Sequence, residues 1–84
     1  MKLKDVIISE ANGEYVAVNI GGEFNGMLKL NDTAAFIAET LQEERSFDEV
    51  VAKLREEYEI DEETAVKSVE SVVEKLRQVG FIEE

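Results

Sequence analysis

The 84-residue chain contains no cysteine, no histidine and no proline. Without cysteine it can form no disulfide, no thiolate nucleophile and no thiolate metal site. Without histidine it has no imidazole for acid–base work near neutral pH. No run of 18 apolar residues occurs, so nothing in the sequence reads as a membrane-spanning helix. The start, MKLKDVIIS, carries basic residues but no apolar core of a secretory signal. A cytoplasmic location is expected, and the lack of cysteine is in keeping with it.

Positive charge is also scarce. Nine basic side chains face twenty acidic ones, for a net charge of −11. Binding nucleic acid normally requires a basic footprint, so a nucleic-acid partner is disfavoured whatever the fold. An anionic membrane surface is disfavoured for the same reason. A partner carrying lysine or arginine would be attracted.

What is present fits one domain over residues 1–84. A chain of this size buries ~60–65 % of its unfolded surface, enough for one modest core. Two strand-like runs, DVIIS (5–9) and EYVAVNI (14–20), flank Asn12-Gly13, a strong hairpin signal. In the second run Val16, Val18 and Ile20 share one face, and Val16 and Val18 are expected in the core. GGEFNG (21–26) reads as a hairpin loop. It lacks the Lys-Ser/Thr ending of a phosphate-cradling loop. MLKL (27–30) reads as a third strand, with Leu28 and Leu30 toward the core and Met27 and Lys29 away from it.

From Asn31 onward the pattern is helical. Asn31 is placed to cap a first helix running to about Gln42, with Ala34, Ile37, Ala38 and Leu41 at helical spacing. Ser46 and Glu49 have capping-box spacing ahead of Phe47, Val50, Val51, Leu54 and Tyr58. Asp61 caps a third helix whose stripe runs from Ala65 to Val79, and Gly80 ends it. Strands grouped before helices predict an α+β fold: a three-stranded antiparallel sheet followed by three helices.

Chemistry has few candidates. The carboxylates of runs such as EEYEIDEET fall on exposed helix faces. Ser9, Ser46, Ser68 and Ser71 have no histidine to activate them. No calcium-loop pattern is present. No enzyme, cofactor or metal is expected. An open sheet edge at residues 27–30 is the more informative feature. Lys29 can serve there as a guard against aggregation, or the edge can be open to a guest strand.

The run FNGMLKLNDTAAFIAETL resembles the signature of the PqqD-like family: a glycine, a short strand ending Leu-Asn, then Thr-Ala and an aromatic-aliphatic helix. SFDEVVAKLREEYEIDEETAVKSVESVVEKLRQVGFI continues it, with an acidic-Ile-Asp linker, an early alanine in the last helix and a closing Gly-Phe-Ile. The resemblance spans about residues 5–82. Ser68 stands where the family often has aspartate, and Val72 where it often has a bulkier residue.

The resemblance implies a winged-helix-like, non-catalytic recognition element for ribosomally made precursor peptides. Its ligand would be the leader region of the precursor, added as a strand beside residues 27–30 and lying against the third helix. Its partner would be a modifying enzyme, typically a radical S-adenosylmethionine enzyme. The candidate peptide-binding residues are then Met27, Leu28, Lys29, Leu30, Ala65, Ser68, Val69, Val72, Lys75, Leu76 and Val79. Of these, Val69 and Leu76 are also expected in the core, with Val73. A small adaptor or a self-associating domain of the same fold is the alternative.

Overall fold

The computed structural model describes residues 1–20 and 26–83; the expected loop at 21–26 lies outside them except for Gly26. Two strands, β2 (Val6–Ala11) and β3 (Glu14–Asn19), form the hairpin that Asn12-Gly13 signals. Asn12 and Gly13 have φ of 54° and 79°, the pair of positive values that a type I′ turn needs. The register runs from Ala11↔Glu14 out to Val6↔Asn19. Strand β4 (Met27–Leu30) pairs antiparallel with β3, from Tyr15↔Leu30 to Val18↔Met27. The sheet order is β2-β3-β4.

A second, two-stranded sheet escapes the sequence pattern. β1 (Lys2–Leu3) pairs antiparallel with β5 (Ile82–Glu83). It ties both ends of the chain to the helical body. Leu3 N–H donates to the Leu41 carbonyl at 2.8 Å, and Lys4 N–H to the Phe81 carbonyl at 2.9 Å. A pair of two-residue strands carries too little periodicity to be read from sequence.

The three helices begin where their caps predict. α1 (Asp32–Thr40) starts with Asn31 Oδ1 accepting from Ala34 N–H at 2.8 Å. It stops two residues short of Gln42, with Leu41 as its C-cap. α2 (Phe47–Tyr58) has the full capping box between Ser46 and Glu49. α3 (Glu62–Gln78) is capped by Asp61, whose Oδ1 accepts from Thr64 N–H at 2.7 Å. Gly80, at φ 75°, turns the chain so that Phe81 N–H reaches the Leu76 carbonyl and its ring enters the core.

One face of the sheet packs on the helices, and it is not the face that hydropathy selects. Val16 and Val18 lie on the outer side, half-buried and outside the core. Tyr15, Ala17 and Asn19 face inward instead, with Ala17 fully buried. The reason is steric. α1 packs across β3 and brings Ala34, Ala35 and Ala38 into the core, and small residues let helix and sheet approach closely. Asn19 is tolerated there because its Nδ2 donates to the Lys4 carbonyl at 3.0 Å. Leu30, Ile37, Leu41, Val51, Leu54, Val69, Val73 and Leu76 are buried as expected, and Val50 of the second helix's apolar stripe joins them.

Candidate peptide-docking site

Which main-chain groups of β4 face outward follows from the hairpin. A two-residue turn makes Ala11 and Glu14 a hydrogen-bonded pair, and such pairs alternate along an antiparallel ladder. Glu14, Val16 and Val18 therefore bond to β2, and Tyr15 and Ala17 bond to β4. The partners of Tyr15 and Ala17 are Leu30 and Leu28. The N–H and C=O of Met27 and Lys29 consequently point away from β3. Among the described residues no strand covers that edge.

The side chains divide the other way. Leu28 and Leu30 turn toward the helices: Leu30 is buried and Leu28 is half-buried against the core. Met27 and Lys29 are exposed on the outer face. At the end of β4 a hollow is lined by Tyr15, Lys29, Leu30, Asn31, Asp32 and Thr33. The charge of Glu10, with burial and Asp32, holds the Tyr15 hydroxyl above its ordinary value of 10.0. Tyr15 and Asp32 were not among the candidate residues. The register Tyr15↔Leu30 is the signal that would have found Tyr15.

On α3 the candidate residues split by depth. Ala65, Val69 and Leu76 are fully buried, and Val72 is 9 % exposed. These four are packed against the core and have little or no surface to offer a ligand. Ser68 and Val79 are half-buried and Lys75 is exposed, at spacings that put them on one flank with Val72. The opposite flank carries Glu70, Val73, Glu74 and Arg77, which with Met1 and Phe47 line a separate open hollow. α1 packs against both β4 and α3. The candidate residues thus fall in two groups, Met27–Leu30 on one sheet edge and Ser68, Val72, Lys75 and Val79 on one flank of α3, and α1 packs against both elements.

Charge is distributed unevenly over this frame. Residues 1–31 hold three basic and four acidic side chains, whereas residues 32–84 hold six and sixteen. The sheet is nearly neutral and the helical part carries almost all of the negative field. Among the described residues no three His, Cys, Asp or Glu side chains gather into a metal site, and no helix is long and apolar enough to cross a membrane.

The chain is similar to two solved structures over its whole length. One is TbiB1 in complex with the TbiA(beta) leader peptide: TM-score 0.80, 20 % identity, covering 99 % of this chain and 95 % of that one. The other is lasso peptide synthetase B1 complexed with the leader peptide: TM-score 0.75, 25 % identity, covering 99 % and 96 %. No curated protein matches the chain. The model of the coenzyme PQQ synthesis protein D (PqqD) family matches residues 6–82, and the chain belongs to that family.

Proposed function

We propose that this domain binds the leader segment of a ribosomally synthesised precursor peptide by strand addition to β4, and that it does so without catalysing a reaction. The observation that carries this reading is the edge of β4. There Met27 and Lys29 offer two outward N–H and two outward C=O groups, and no described strand uses them. Main-chain pairing of this kind gives affinity, and flanking side chains give selectivity. The likeness to two structures that contain leader peptides supports the reading, as does family membership. The guest's inward side chains would lie by Leu28 and by Ser68, Lys75 and Val79, the accessible residues of the α3 flank. A cytoplasmic domain of this type would pass its captive to a modifying enzyme, with a radical S-adenosylmethionine enzyme as the proposed partner.

The test starts from a short precursor encoded beside this chain's gene. Its synthetic leader is titrated into the isotope-labelled domain. The reading expects amide shifts concentrated at 27–30 and along α3. Shifts that spare both would contradict it.

A further inference from the structure

We infer that the guest strand is selected on the outer face of the sheet as well as in the groove, through an aliphatic or aromatic side chain seated beside Met27. The inference rests on the strand-addition reading and adds a second specificity position to it.

The outer face carries an apolar row. Ile7 pairs with Val18, and Val18 with Met27, so the three stand side by side across β2, β3 and β4. Ile7 is 47 % exposed and Met27 72 %, two of the four large apolar side chains that the described residues leave exposed. Among the described residues the row stops at Met27, and no strand covers the edge of β4 there. A guest residue opposite Met27 has its side chain on the same face as Met27, whichever way the guest runs. It therefore becomes the fourth member of the row. Cross-strand neighbours of this kind are the unit by which a sheet is stabilised, and apolar pairs are favoured. Methionine is unbranched and adapts its shape to a neighbour, which suits a contact made and released.

Two further observations select the occupant. The sheet segment is nearly neutral while the helical part carries the net charge, so a side chain seated beside Met27 lies on the part of the chain with little net charge, which favours an apolar occupant over a basic one. The row is also small. Two strands of six residues and one of four, spaced about 4.8 Å apart, offer a face of roughly 250 Å². A stable dimer needs about 800 Å² from each partner, so a second copy of this chain seated on this face alone would not hold. One added strand fits the space and is continuous with the edge that holds it.

The experiment selects a displayed library of random twelve-residue peptides on the full chain, and in parallel on Met27→Glu and Lys29→Pro. Met27 is exposed, so Met27→Glu is expected to fold, and circular dichroism checks this. The parent chain should enrich peptides with an apolar residue at one position next to an inward apolar position. Met27→Glu should convert that one position to lysine or arginine and leave the others unchanged. Met27→Glu should also weaken the parent's best peptide by about fivefold, the upper end of a cross-strand pair's contribution. An identical motif from both chains would overturn the inference while leaving strand addition intact. Enrichment of no peptide by the parent, or equal binding of its best peptide to Lys29→Pro, would overturn strand addition itself.

Discussion

Lys29 stands directly opposite Val16 in the β3–β4 ladder, yet its own N–H and C=O point the other way, to an edge that no described strand covers. Leu28, one residue earlier, does the reverse: its main chain bonds to β3 opposite Ala17. The two neighbours therefore answer differently to proline. Lys29→Pro removes an N–H that no described strand uses, and proline is tolerated on an edge with that side to solvent. The variant should fold and lose peptide binding. Leu28→Pro removes a ladder bond and should lower stability by at least about 1 kcal/mol. Thermal unfolding of both, with peptide titration of the first, checks this. Lys29→Ala should bind nearly as the parent does, because the pairing is main-chain.

Leu54 has no exposed surface and sits where α2 meets the rest of the core. Leu54→Ala should cost about 2–5 kcal/mol in denaturant unfolding. A loss under about 0.5 kcal/mol, the size of an ordinary surface substitution, would contradict its burial.

The α3 flank separates groove from core. Val72→Asp places a charge where only 9 % of the residue is exposed, so it should unfold the domain before it reports on binding. Lys75→Glu alters an exposed residue on the same flank, and should weaken an acidic leader without a change in the unfolding midpoint. Titration with paired acidic and basic leaders reads the difference.

Two helix caps set an acid limb in the stability profile. Hydrogen bonds from the Ser46 backbone and hydroxyl hold the Glu49 carboxyl below its ordinary value of 4.5, and bonds from Thr64 hold Asp61 below 3.8. A carboxyl depressed on folding stabilises above its ordinary value and loses that contribution as pH falls through the folded one. Asp61→Asn keeps a good cap but cannot titrate. The drop in unfolding midpoint between pH 7 and pH 3 should be smaller in Asp61→Asn than in the parent. Equal drops would remove Asp61 from the acid limb.

The acidic helical part should speed association with a basic leader at low salt, and screening should slow it. Stopped-flow association rates across a salt series check this, with the off-rate expected to change less.

Caps and turns were legible in the sequence because each is local. Asn12-Gly13, Asn31, Ser46 with Glu49, Asp61 and Gly80 all act within a few residues of themselves. That 27–30 forms the last strand of the sheet was legible from the order of elements. The buried face of β3 was not, because Val16 and Val18 are more apolar than Ala17 and Asn19. What decides that face is how closely α1 approaches. The β1–β5 pair joins the two ends of the chain, a contact no short window contains. The depth of Ala65, Val69, Val72 and Leu76 likewise depends on what packs over them, and a helical stripe alone does not distinguish a core residue from a groove wall.

Strand addition is tested most directly by amide hydrogen exchange at single-residue resolution, with and without a saturating leader peptide. In the free domain Leu28 and Leu30 should already be protected by their bonds to β3, while Met27 and Lys29 exchange fast. On binding, Met27 and Lys29 should become protected and Leu28 and Leu30 should change little. Protection that rises equally at all four, or that leaves Met27 and Lys29 fast in the saturated complex, would contradict pairing at the β4 edge.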